Sequence, residues 1–318
     1  MGKGGLRTAL FRSSLRSTCS EGPVCVKGCP NDAMDCMGKL IWLASYPKSG
    51  NTWMRAFLTN LMTNAERPVG IDDLGTLAIG DSEPGRYETL SGKQAADLTP
   101  DDVAALRPRV HAQIAAEHPD TRFAKIHSAM MQLAGQPTVN MAVTAGAIYI
   151  ARNPLDVAVS FSHHLGAGID DIIELMGRDN ALTDSTGVAI SELIGSWSQH
   201  VLSWTAHPSP GLHVVRYEDM LAKPQKTFGG VVKFLGLDAP RCRIERAIHH
   251  ASFKVLRNQE DKSGFRERSE KAERFFRSGR AGGWRDALSS AQVEAITERH
   301  REQMARFGYL DALQEGAR

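Results

Sequence analysis

Leu40-Ile41-Trp42-Leu43-Ala44-Ser45-Tyr46-Pro47-Lys48-Ser49-Gly50-Asn51-Thr52-Trp53 changes character twice along its length. Residues 40–45 read as a short buried strand, stopped by the breakers Pro47 and Gly50. Over 52–62 the apolar residues Trp53, Phe57, Leu58 and Leu61 fall at helical spacing. A turn between strand and helix aims backbone N–H groups at one point, where the helix N-terminus adds positive potential. Gly50 lets the backbone approach closely, and Lys48 supplies a full charge. Ser49, Asn51 and Thr52 offer further polar groups. The turn suits a phosphate or a sulfate. It is not a Walker A loop, because Lys48 precedes the glycine instead of following it. A bare cluster of these residue types reads as an ordinary polar turn; the whole run between apolar strand and helix favours the anion site.

Outward from this run, strands alternate with helices. Residues 122–127 alternate apolar and basic side chains as a second strand. A third, 147–151, ends at Arg152-Asn153-Pro154, and Pro154 opens a helix reaching 164. A fourth strand covers 212–217. Helices are expected over 188–206, 224–235, 241–250 and 289–307, and another starts with Thr99 as N-cap and Pro100 in its first position. Residues 64–100, 166–186 and 258–283 carry few periodic signals and read as insertions or loops. The pattern predicts a single α/β domain with a central parallel sheet flanked by helices and a P-loop-like turn. Ligands of such sheets bind beyond the carboxyl ends of the strands. The three segments richest in functional side chains follow strands ending near Ser45, His127 and Ala151.

The chain has 318 residues, 42% hydrophobic and 23% charged, which suits one sizeable core. A net charge of +2 implies no broad polyanion surface, so no nucleic-acid partner is expected. No stretch approaches the roughly 20 apolar residues of a membrane span. Residues 1–36 lack the continuous apolar stretch of a secretory signal, and a cytoplasmic location is expected. That region reads as a leader, disordered or not native, ahead of a domain at 37–318. Cys19, Cys25, Cys29 and Cys36 lie within it, and their gaps do not form the paired CxxC sets of a zinc site; no metal is expected.

The octet 46–53 resembles the 5′-phosphosulfate loop of the sulfotransferases that use 3′-phosphoadenosine 5′-phosphosulfate (PAPS), whose pattern is Tyr-Pro-Lys-Ser-Gly-Thr-Thr-Trp; Asn51 replaces a Thr. Arg152 at a strand end and Ser160 about two helical turns on are similar to that family's 3′-phosphate motif. An Arg holds a terminal phosphate through paired N–H groups; read alone, Arg152 is equally a structural partner of Asp156. Lys125-Ile126-His127 resembles the family's Lys-x-His, whose His is the general base. Tyr217 and Phe253 match adenine-site positions, while Ala251 replaces a usual Thr. Phe276-Arg277-Ser278-Gly279 followed by Gly282-Gly283-Trp284 is similar to the family's Arg-Lys-Gly … Gly-Asp-Trp segment, with Ser278 in place of Lys and Gly283 in place of Asp.

The resemblance implies sulfuryl transfer from PAPS to a hydroxyl or amine of a small acceptor, releasing adenosine 3′,5′-bisphosphate. By it, Lys48 contacts the bridging oxygen, Trp53 stacks on adenine, and His127 deprotonates the acceptor with Lys125 beside it. Arg152, Ser160, Arg277 and Gly279 hold the 3′-phosphate end. Residues 64–120, 130–146 and 166–186 are expected to form the acceptor pocket, with His163 and His164 near it. The family's dimer segment falls near 285–294, where Ser289-Ser290 replaces its Thr-Val, so monomer and homodimer both stay open. A nucleotide-dependent kinase and a non-catalytic nucleotide-binding module are the competing readings.

Overall fold

Leu40–Ser45 forms β1, and every one of its residues is buried. A strand shielded on both faces must be apolar throughout, and this one is sandwiched between parallel neighbours. The computed structural model describes residues 38–314; the expected leader at 1–36 lies outside the described residues. After β1 come α1 (Asn51–Thr63), β2 (Ala78–Gly80), α2 (Pro84–Ser91), α3 (Pro100–Ala116), β3 (Arg122–Ile126) and β4 (Thr144–Ala151). The chain continues through α4 (Pro154–Leu165), α5 (Ile169–Gly177), α6 (Trp197–Thr205), β5 (Leu212–Arg216) and α7 (Tyr217–Ala222). It closes with α8 (Pro224–Phe234), α9 (Arg241–His250), α10 (Phe253–Ser263) and α11 (Ser290–Arg306).

The five-stranded sheet runs β2-β3-β1-β4-β5, parallel throughout. Its alternation divides the core in two. Leu40, Trp42, Ala44, Ile126 and Tyr149 face the layer built from α3 to α6 and α11. Ile41, Leu43, Phe123, Ile148 and Ile150 face α1 and α8 to α10. Burying each large aliphatic side chain contributes about 1.5–3 kcal/mol. The register brings the strand ends level: Ala44 pairs with Ile126 on one side and Tyr149 on the other. No described helix is long and apolar enough to cross a membrane.

The parallel sheet and the Thr99 N-cap at the start of α3 match expectation, with Thr99 Oγ1 accepting from the Asp102 amide. Four segments differ. The helix expected over 188–206 begins only at Trp197. Gly195 stands at φ 59, and Ser196 Oγ accepts the Gln199 amide at 3.1 Å, which fixes a helix start there. The residues before it are extended: Ile190 N donates to Ser82 O, and Leu193 bridges Leu182. The stretch 166–186 contains α5, held by Ile172 and Met176 in the core. The 64–100 insertion supplies the edge strand β2, and 258–283 begins inside α10 before becoming irregular.

Directly after β2, Asp81 is 1% exposed and pairs with Arg107 of α3, itself 3% exposed. His111 Nε2 lies 3.4 Å from the same carboxylate oxygen. Burial opposes the charge of Asp81, but Arg107 and His111 hold its carboxyl below the usual range. Removing one partner from such a pair strands the other, at a cost of about 3–5 kcal/mol. Arg107→Met should therefore lower the urea-unfolding free energy by about that amount. A loss below about 1 kcal/mol would show that the pair does not anchor β2 to α3.

Candidate active site

The turn after β1 closes with Ser49 N donating to Tyr46 O at 3.3 Å. Lys48 sits in the left-handed region at φ 64, and Gly50 at φ 108 caps α1 with no side chain satisfying the first helical amides. A Cβ at Gly50 would meet the Tyr217 ring at 2.8 Å, so only glycine fits here without displacing that ring. Ser49 Oγ is buried without a partner. The Lys48 ammonium lies 4.0 Å from the centre of the Phe275 ring. Burial, then the Arg152 and Lys125 charges, push the Lys48 pKa down to about 7. Two of the turn's polar side chains are committed elsewhere. Asn51 Nδ2 donates back to Leu43 O at 2.8 Å, and Thr52 Oγ1 accepts from Arg55 at 3.1 Å.

His127 follows β3 directly. Its Nδ1 lies 2.8 Å from Ser45 O. A carbonyl only accepts, so this nitrogen carries the proton and Nε2 keeps its lone pair. Burial, then Lys125, push the imidazole pKa down to about 3, so the ring is neutral at physiological pH. Its backbone is fixed too: the amide donates to Glu192 Oε1 at 3.1 Å, and the carbonyl accepts from His200 Nε2 at 3.0 Å. His200 Nδ1 is therefore left to accept from Tyr149 OH at 2.9 Å. Glu192 is buried, and that burial, reinforced by Asp81, pushes its carboxyl up to about 7.

Arg152 directly follows β4 and is 8% exposed. It donates to Lys48 O at 2.9 Å and Arg280 O at 3.4 Å, and its guanidinium lies 4.2 Å from the Tyr217 ring centre. Its Nε is buried without a partner. Asp156 does not pair with it; that carboxylate accepts the Gly282 and Trp284 amides at 2.7 and 3.1 Å. Asp156 thereby anchors the segment carrying Arg277, whose charge is opposed by burial and by nearby Arg280 and Arg152. Gly279 is at φ 59 with the Phe253 ring against it, leaving no room for a side chain. Trp53 meets Tyr217 and Phe228 edge-on, at 5.6 and 5.8 Å between ring centres, and its buried indole N–H has no partner.

Every residue that the sequence singled out for the site lines one cavity of about 540 Å³, except Ser49. His164 lines it as well, whereas His163 is exposed and lies outside. Of the three regions expected to build the acceptor pocket, the first contributes Ser82 and the third contributes Leu175, Leu182, Thr183, Asp184 and Thr186; no residue of 130–146 takes part. The sequence reading missed Glu192, Glu267 and Phe275. Glu192 was absorbed into a helix expected to start too early, and Gly195-Ser196 was the signal that could have freed it. Among the described residues no group of three or more His, Cys, Asp or Glu could hold a metal ion.

The sequence profile described as Sulfotransferase domain matches residues 39–308. Sulfotransferase 1A1 of Canis lupus familiaris is 25% identical over 286 residues, covering 84% of this chain and 83% of that protein. Sulfotransferase 1B1 of the same species is 26% identical over 284 residues, covering 83% of each. Among solved structures, a mouse sulfotransferase complexed with PAP gives a TM-score of 0.57 at 22% identity, over 90% of this chain and 92% of that one. A retinol dehydratase in complex with androsterone and inactive cofactor PAP gives 0.58 at 20% identity, over 83% and 80%. At those identities the structures speak for the fold alone. The profile match, which spans most of the chain, carries the conclusion that this protein belongs to the sulfotransferase family.

Proposed function

We propose that this protein transfers a sulfuryl group from PAPS directly to a hydroxyl or amine of a small acceptor, with His127 as general base. One hydrogen bond supports this most: with Nδ1 donating to Ser45 O, the free Nε2 lone pair belongs to a ring lining the cavity shared with Lys48 and Lys125. A neutral imidazole so oriented can take the acceptor proton as the bond to sulfur forms, and the negative charge of bound PAPS would raise its proton affinity above that of the free protein. The donor fits the residues present. Trp53 Nε1 and Arg152 Nε, on two residues that line the cavity, are buried polar groups without protein partners, suited to an anion joined to an aromatic base. PAPS supplies an activated sulfuryl on a phosphate leaving group, which departs as part of adenosine 3′,5′-bisphosphate.

Each residue then has a physical task. Lys48 and the uncapped amides of α1 stabilise charge on the leaving phosphate oxygen. Lys125, two residues before the base, adds positive charge at the transfer centre. Arg152, Ser160 and Arg277 hold the 3′-phosphate and select PAPS over ATP. Trp53, Tyr217 and Phe253 hold the adenine. The cavity wall formed by Phe161, Leu165, Leu175, Leu182 and Ile194 suits an acceptor with an apolar body.

His127→Ala should lower turnover by about 10²-fold or more while leaving affinity for adenosine 3′,5′-bisphosphate unchanged. Steady-state assays with labelled PAPS test this, and a variant that keeps near-full turnover removes His127 from the role.

Arg152→Ala should weaken adenosine 3′,5′-bisphosphate by about 1.5–3 kcal/mol but adenosine 5′-phosphate much less, because only the first carries the 3′-phosphate. Equal losses in calorimetry would make Arg152 structural.

Lys48 gives a pH signature. With its pKa near 7 in the free protein, it is mostly neutral at pH 8. Bound anions favour the charged form, so binding adenosine 3′,5′-bisphosphate at pH 8 should take up on the order of one proton, and almost none at pH 5.5. Calorimetry in buffers of different ionisation enthalpy reads this directly. Lys48→Met should abolish the pH 8 uptake; unchanged uptake in that variant assigns the proton to another group.

A further inference from the structure

Glu267 belongs to no motif and to none of the tasks above. It lies in the irregular stretch between α10 and Phe276-Arg277-Ser278-Gly279. From there it reaches α1, where Oε1 accepts from Arg55 Nη1 at 2.8 Å and Oε2 from Arg55 Nη2 at 2.7 Å. Arg55 is 2% exposed, and its Nη2 also donates to Thr52 Oγ1. The same Glu267 Oε2 stands 4.0 Å from Lys125 Nζ. One carboxylate thus joins the helix that begins at the phosphosulfate turn, the strand that ends at His127, and the segment that brings Phe275 over Lys48.

The two contacts differ in kind. A bidentate pair with a buried guanidinium fixes the carboxylate's plane. Lys125 is a flexible stem with a point charge at its tip, and its ammonium settles where the local field is most favourable. A carboxylate locked by Arg55 therefore defines that place. It also offsets repulsion. The charged groups acting on Lys48 are Arg152 and Lys125 against it, with Glu267 and Glu260 in its favour; neutral His164 lies nearby. Burial opposes the charge of Glu267 itself, but Lys125 and Arg55 outweigh it and bring its pKa down to about 2, so it stays ionised across the working range.

We propose that Glu267, oriented by Arg55, is a positioning residue for sulfuryl transfer: it fixes the Lys125 ammonium beside Lys48 and keeps the pair of ammoniums compatible within one cavity. This rests on the sulfotransferase reading above. A purely structural Glu267 would act only by neutralising buried Arg55. The two roles separate when the pair is removed together, because replacing both members of a buried ion pair by apolar residues is tolerated far better than stranding one.

The test uses the full chain, PAPS and one good acceptor, with Glu267→Gln, Lys125→Met, their double variant, and Arg55→Met/Glu267→Leu. Glu267→Gln should lower kcat by about 10-fold or more, with affinity for adenosine 3′,5′-bisphosphate within about 3-fold of wild type. In the Lys125→Met background the same change should cost less than about 2-fold, since its target is gone. The alkaline limb of kcat/KM for PAPS, which reports the free protein, should move to lower pH in Glu267→Gln, because the Lys48 ammonium loses a favourable charge. The Arg55→Met/Glu267→Leu variant should recover melting temperature but not kcat. Recovery of wild-type kcat in that variant, or losses from Glu267→Gln and Lys125→Met that simply multiply, would overturn the proposal. A wild-type chain that binds adenosine 3′,5′-bisphosphate but transfers no sulfuryl group from PAPS overturns the enzymatic reading instead, and this one with it.

Discussion

In a parallel sheet every strand delivers its carboxyl end to the same edge, and β1 stands between β3 and β4. Because Ala44 is level with Ile126 and Tyr149, the residues that follow each strand, among them Lys48, His127 and Arg152, emerge side by side. No long-range loop has to be folded correctly for these groups to meet. The hydrogen bond from His127 to Ser45 O then ties the end of β3 to the end of β1, fixing the tautomer with the same contact that closes the edge. Loss of register by one residue would turn Lys125 and His127 to the opposite face.

That geometry carries an electrostatic cost. Lys48, Lys125, Arg152 and Arg277 line one cavity, and the downward shifts on Lys48 and Arg277 record burial first and then repulsion, from Arg152 and Lys125 on Lys48 and from Arg280 and Arg152 on Arg277. The fold answers with carboxylates placed around the cluster. Asp156 faces the amides of Gly282 and Trp284, Glu260 faces those of Phe275 and Phe276, and Glu267 faces Arg55. Asp156 and Glu260 spend their hydrogen bonds on backbone, shaping the segment around Arg277, while their charges favour the cationic forms of Arg277 and Lys48. A site arranged in this way is incomplete without an anion, and binding one relieves the repulsion.

The turn after β1, the Arg152 strand end and the helix cap at Thr99 were legible in the sequence because each is a local device: its residues lie within a few positions of one another. Wherever tertiary packing overrode local pattern, reading failed. Val188, Ile190, Leu193 and Ile194 fit a helical spacing, yet Val188 lies in an exposed bend and Ile190 and Leu193 bond to Ser82 and Leu182, because Gly195 and Ser196 start the helix later. The edge strand β2 is too short to carry a period of its own and exists through its pairing with β3. Glu267 was unreadable for the same reason. Its partners Arg55 and Lys125 are remote in sequence, and nothing local distinguishes it from the other charges of its loop.

The same division separates the proposed donor end of the cavity from the proposed acceptor end. Donor contacts come from turns whose shape is set by glycine and by strand endings, as at Gly50 and Gly279, where any side chain collides with an aromatic ring. Acceptor-side residues such as Leu175, Leu182, Asp184 and Ile194 come from α5 and from the extended run before α6. Their positions depend on packing against α4 and α11, not on backbone chemistry at a strand end. Substitutions there can reshape the acceptor wall without moving Lys48, Arg152 or Tyr217. The proposed base is the exception, because Glu192 belongs to the run proposed to face the acceptor yet holds the His127 amide. On the proposed function, acceptor choice and base placement therefore share one segment, and changes at 181–194 would act on both binding and turnover.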